Sequence, residues 1–161
     1  MKVGITGHQK LTSEQNQWLR EELKLEFKLN SFDEAYSCLA IGTDQIFAKM
    51  ALDNYVKLAA IIPCKNYEIT FDFNGLENYK SILKRAAKII HLGFDNPSEF
   101  AFYEAGKLVV ENSDIVIALW NELPSKGLGG TGDIVLFAKS IKKRIVHLNP
   151  ITRLKKHINY D

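Results

Sequence analysis

Short apolar runs that alternate with longer helical patterns along the whole chain constrain its fold more than any other feature. Lys2–Thr6, Ala35–Ile41, Lys57–Ile62, Ile89–Leu92, Ile115–Trp120 and Arg144–Leu148 read as strands. Helical patterns open at Thr12, at Gly42-Thr43-Asp44, near Leu76, at Pro97 and at Asp133. The first has a capping-box spacing, Thr12 to Gln15, and a buried face on Leu19, Leu23 and Phe27. Strands separated by helices call for a parallel sheet, and a nearly continuous apolar strand such as IVIAL is one covered on both faces. The expected fold is α/β, Rossmann-like and doubly wound, with a mainly parallel sheet and helices on both faces.

The 161 residues match one ordinary domain, placed at 1–150 with a tail at 151–161. Apolar residues make up 46% and charged residues 25%, proportions that suit a globular chain. With 21 basic against 19 acidic residues, the net charge of +2 argues against a nucleic-acid partner or a membrane surface. The basic stretch Arg153-Leu154-Lys155-Lys156-His157 reads as a frayed, solvated tail. Cys38 and Cys64 lack a CxxC partner and are expected reduced and buried, while the four histidines have no ligand spacing. No metal and no cofactor is therefore expected. Apolar runs fall far short of a membrane span and Lys2 leads straight into a strand, so the expected location is cytoplasmic.

In such a sheet, ligands lie beyond the carboxyl ends of the strands, where the strand order reverses. That edge collects Gly7 and His8 after the first strand and Gly42, Thr43 and Asp44 after the second. It also collects Asn121, Glu122 and the turn Gly127–Asp133 after the fifth. Gly129, Gly130, Thr131 and Gly132 lie between a strand and a helix, where bare N–H groups suit a phosphate; a plain connector is the alternative. Asp133 either caps that helix or meets a ribose hydroxyl. His8 reads equally as a ligand contact or an exposed turn residue. Gly42 offers a backbone contact, and Thr43 or Asp44 a helix cap, with a side-chain role for Asp44 the less simple reading. Trp120-Asn121-Glu122 and the aromatics of Tyr67–Phe73 could wall a base pocket or bury a self-association surface.

Four segments together resemble one family: Thr6-Gly7-His8-Gln9, Gly42-Thr43-Asp44, Asn112–Leu119 and Gly129-Gly130-Thr131-Gly132-Asp133. Over Met1–Asn149 the chain resembles the SLOG superfamily, the Rossmann-like group of Lonely-guy (LOG) nucleotide hydrolases, the DNA-uptake protein DprA and nucleotide sensors. The resemblance implies a nucleotide or nucleotide-derived ligand with its phosphate on the glycine turn. By analogy it also implies a homodimer or higher homo-oligomer. It does not carry the hydrolase activity across. Counting from Asn112-Ser113-Asp114, the LOG motif MHxRK falls on Phe102–Gly106, so Ala105 replaces the catalytic arginine. Counting from Gly129-Gly130, the glutamate of PGGxGTxxE falls on Leu136. An N-glycosidase would have to use Glu104 or Asp133 instead, and Glu104 reads otherwise as a surface salt bridge.

Overall fold

The computed structural model describes residues 1–160. Its strands are β1 (Lys2–Gly7), β2 (Glu34–Ser37), β3 (Lys57–Cys64), β4 (Lys88–Phe94), β5 (Ile115–Leu119), β6 (Arg144–Leu148) and β7 (Lys155–Ile158). Its helices are α1 (Ser13–Leu29), α2 (Thr43–Asp53), α3 (Phe73–Arg85), α4 (Glu99–Asn112) and α5 (Thr131–Ser140), with a 3-10 turn at Tyr67–Thr70. The strands form one sheet in the order β4-β3-β2-β1-β5-β6-β7. β1 to β6 pair in parallel, and β7 runs antiparallel to β6. The expected Rossmann-like, doubly wound α/β fold is what the chain adopts.

From β1 the chain steps outward through β2 and β3 to β4, and α4 then returns it to the other side of β1. Right-handed crossovers that step in opposite directions put their helices on opposite faces. The period-two alternation of the strands records this. Val3, Ile5 and Ile117 are buried with Leu19, Leu23, Phe47 and Ile82 of α1, α2 and α3. Val116, Ala118 and Ile145 face Ile134, Val135 and Ala138 of α5, and Tyr36, Ala59 and Ile61 face Ala105 and Val109 of α4. Every residue of β5 is buried because both faces are covered. The reversal point, hence the ligand edge, lies between β1 and β5.

The element ends show local forces at work. β2 stops at Ser37, short of the expected Ile41, because Cys38 N donates to Asp44 Oδ2 (3.0 Å) and Leu39 turns to φ 58°. α3 starts at Phe73, earlier than expected, because Asp72 accepts from Gly75 N at 2.7 Å. α5 starts at Thr131, two residues before the expected Asp133.

The expected frayed tail is the largest correction. Residues 155–158 pair with the otherwise open edge of β6, and Lys155 Nζ reaches Glu22 (3.3 Å) and the buried Glu26 on α1. Basic side chains there neutralise acidic ones on α1, so local charge did not signal disorder. Among the described residues, no helix is long and apolar enough to cross a membrane.

Candidate functional site

The carboxyl ends of β1 and β5 open into a cleft of about 850 Å³. Gly7 and His8 form its floor, and a three-way contact holds them there. His8 N donates to Leu119 O (3.3 Å), and Asn121 N donates to His8 Nε2 (3.0 Å). Thr43 Oγ1 donates to His8 O (2.7 Å). As an acceptor, His8 Nε2 is unprotonated, and burial pushes the ring below its ordinary pKa. Of the two sequence readings of His8, neither captures this: the ring ties the β1 loop to the β5 loop. Thr43 is fully buried and spends its hydroxyl on that tie. Gly42 supports the same junction at φ 79°, where a Cβ would lie 2.2 Å from Gln9 O. Gly42 and Thr43 thus stand behind the cleft wall, whereas Gly7, His8 and Gly129–Gly132 line the cleft.

The glycine turn forms the second wall. Gly129 takes φ 88°, a conformation that favours glycine, and a Cβ there would meet Tyr103 N at 2.8 Å. Gly129 N donates to Asp133 Oδ2 (3.0 Å), and Asp133 N donates to Ser125 Oγ (3.0 Å). Asp133 therefore closes the turn just before α5, and its carboxylate removes Gly129 N from the donors open to a ligand. Among the described residues, the N–H groups of Gly130, Thr131 and Gly132 have no acceptor. They remain as the open donors of a ten-residue helix, in a cleft also lined by Lys10 and Lys126. The β5–α5 loop is braced besides by Trp120 Nε1 on Leu123 O (2.9 Å) and Leu123 N on Asn121 Oδ1 (3.1 Å).

The third wall comes from the β2 and β3 ends. Asp44 lines the cleft although only 7% exposed. Its Oδ2 accepts from Ser37 Oγ (3.1 Å) and Cys38 N (3.0 Å). Burial outweighs these bonds and pushes the carboxyl up to about 7. Burial, followed by the nearby Asp44, raises the Cys38 thiol. Above this carboxyl stand Tyr67, Phe71 and Phe102, with Tyr67 lying 5.0 Å from Phe71 and 6.2 Å from Phe102 between ring centroids.

The two carboxylates named for hydrolysis are not brought to the cleft lining. Glu104 pairs with Lys107 at 2.7 Å, a surface ion pair on α4, and Asp133 is engaged by Gly129 N. At the LOG catalytic positions, Ala105 is fully buried and Leu136 is 59% exposed. Sequence reasoning passed over Lys10, Lys126, Ser125 and Phe102. Phe102 had one signal, its place at the head of the MHxRK alignment. The lysines and Ser125 carry no periodic signal, because loop residues are placed only by the fold.

An open α/β sheet with a cleft at its reversal point, flanked by a glycine-rich helix start, defines a Rossmann-like class of fold. Within that class the solved structures are specific. DNA processing protein A from Helicobacter pylori, described for its single-stranded DNA binding mode, superposes with a TM-score of 0.68 at 22% identity, over 94% of this chain and 70% of that one. DprA from Streptococcus pneumoniae superposes at 0.64 and 19% identity; 91% of this chain spans about half, 49%, of that protein. The molybdenum cofactor binding protein of Rippkaea orientalis superposes at 0.57 and 18% identity, over 92% and 76%. No family profile matches the chain, and no curated protein matches it in sequence. The fold is the DprA-like one that the sequence resemblance implied.

That finding corrects one expectation. Near-neutral charge argues against nucleic acid, yet the H. pylori protein, which shares this fold over 70% of its chain, is described for its single-stranded DNA binding mode. Net charge sums over the whole surface, whereas a strand is held by a few local cations, N–H donors and rings.

Proposed function

We propose that this chain binds a nucleotide, or a molecule derived from one, in the cleft between the ends of β1 and β5. Its anionic group lies against the open N–H groups of Gly130, Thr131 and Gly132, with Lys10 and Lys126 neutralising charge. The observation that carries this reading is those three unpaired donors at a helix start inside a cleft large enough for a nucleotide. The aromatic wall supports a base in the same cleft. Glu104 and Asp133 are engaged elsewhere, so the reading is one of binding and needs no hydrolytic step.

The likeness to the H. pylori protein supports a second form of the ligand, a nucleotide within a single strand. A single strand supplies the same phosphate and base, and its binding would weaken steeply with salt.

The test is Thr131→Asp. A side chain at Gly130 would strike Ser125 Oγ at 2.7 Å, whereas Thr131 already carries a Cβ in the first turn of α5. A carboxylate there complements the helix dipole, so thermal stability is expected to hold or rise by roughly 0.3–1 kcal/mol. Nucleotide affinity, read by calorimetry, is expected to fall by about tenfold or more, because the new charge occupies the anion position. Unchanged affinity would remove the glycine turn from the site.

A further inference from the structure

Two features of the cleft have no role in holding an anion. One is the Asp44 carboxyl, buried at its base. The other is the ring wall, where Tyr67 is 5% exposed and Phe71 and Phe102 reach the cleft. The Cys38 peptide joins them. Its N–H donates to Asp44 Oδ2 (3.0 Å), and its carbonyl accepts from the Tyr67 hydroxyl (3.0 Å). The carboxyl therefore stands at the foot of the rings. A phosphate is repelled there, while a flat ring lying along the wall points an edge at the carboxyl.

An ionised carboxylate only accepts hydrogen bonds; the Ser37 and Cys38 bonds both go to Oδ2, with the Leu39 and Ala40 N–H groups close by, so Oδ1 is the oxygen left to face the cleft. The edge it favours carries two adjacent N–H donors. Guanine has that edge, N1–H beside the 2-amino group. Adenine and cytosine set an acceptor nitrogen beside their amino group, and uracil sets its single N–H between two carbonyls. The acceptors of those bases would face the carboxylate and leave buried polar groups unpaired.

We infer that Asp44 is a specificity-determining residue, whose carboxylate takes the N1–H and 2-amino edge of a guanine base lying along the Tyr67, Phe71 and Phe102 wall. This inference rests on the nucleotide reading above and assigns its base. The guanine belongs either to a free nucleotide or to a residue of a single strand, and the recognising chemistry is the same.

The test pairs two ligands with two proteins. GMP and IMP differ only in the 2-amino group, and their affinities are measured by calorimetry for the wild-type chain and for Asp44→Asn. The wild type is expected to bind GMP about tenfold more tightly than IMP, the size of effect for a hydrogen bond to a charged acceptor. In Asp44→Asn the ratio is expected to fall to within about twofold. The comparison is repeated with one dG or one dI inside an oligothymidine. Tighter binding of dG in the strand than of GMP places the base in a nucleic acid, and the reverse places it in a free nucleotide.

Equal affinity of the wild type for GMP and IMP overturns the inference without needing the variant to fold. So does a GMP preference that survives Asp44→Asn, or a dependence on Asp44 that follows the 2′-hydroxyl, tested with dGMP, instead of the 2-amino group. In those cases a nucleotide still binds and the broader reading stands. Failure of every nucleotide and strand to bind overturns both.

Discussion

The two ends of the cleft solve opposite electrostatic problems. At the α5 end, the protein leaves three backbone N–H groups open and adds two lysines, so it offers donors and positive charge. At the β2 end, it buries a carboxyl against Ser37 and the Cys38 peptide and screens it with rings, so it offers an acceptor. Each would repel what the other attracts. A ligand that satisfies both must carry an anion at one end and N–H donors on a flat ring at the other, and this polarity orients it. The comparison also separates two kinds of cost. The donors of Gly130 and Thr131 sit on half-buried residues and cost little, whereas the buried carboxyl costs stability whenever it ionises.

That cost gives the largest expected effect. Asp44 titrates near 3.8 when unfolded and is pushed up to about 7 in the fold. Between those values the folded state holds more protons, so the contribution of Asp44 is fully present below 3.8 and is lost as pH rises through 7. The difference corresponds to roughly 4 kcal/mol. Asp44→Asn is expected to flatten the denaturant midpoint against pH between about 4 and 8; an unchanged slope would mean the carboxyl is well solvated.

Gly42→Ala attacks the junction between the two ends. The new Cβ would meet the Gln9 carbonyl at 2.2 Å, from a backbone at φ 79°. Neither atom is the end of a flexible side chain, so a loss of roughly 2–4 kcal/mol is expected in urea unfolding. A cost near zero would show that the β1 and β2 loops are not locked together.

Lys10→Ala and Lys126→Ala test the cationic end alone. Each is expected to weaken nucleotide binding about fivefold and to lower its salt dependence, with little effect on stability, because both side chains are exposed. An equal loss at high and low salt would assign them a packing role.

His8 gives the smallest effect. Its folded pKa lies below 6.5, so the stability it contributes is present above that value and is lost as pH falls toward the lower one. Protonation removes the acceptor for Asn121 N. Amide exchange at Asn121 is expected to quicken, relative to Leu119 within β5, as pH falls through the lowered His8 pKa.

The glycine turn was legible because its chemistry is contiguous. Three glycines in four residues between an apolar strand and a helix already state which backbone groups are bare. The Asp44 end was only half legible. Asp44 looked like a helix cap, since Gly42-Thr43-Asp44 opens α2, yet its oxygens turn back to Ser37 and Cys38. The rings beside it come from three separate places, Tyr67 and Phe71 after β3 and Phe102 on α4. Periodicity says nothing of Phe71, which lies in a loop, and does not single out Phe102. Glu104 carried two readings, and its ion pair with Lys107, one turn along α4, fits the surface salt bridge.

The sequence by itself determined the alternation of elements, the parallel sheet and the edge on which the glycine and polar loops collect, because hydrophobic periods and turn residues act over a few positions. It also determined the bare helix start at Gly130–Gly132. Tertiary structure alone decided that Thr43 and His8 tie loops together, that Asp133 spends its carboxylate on Gly129, and that residues 155–158 close the sheet. It likewise decided that a carboxyl after β2 stands under rings from β3 and α4. A link such as Thr43 to His8, across 35 residues, depends on which strands become neighbours, and that is settled only when the whole sheet has formed.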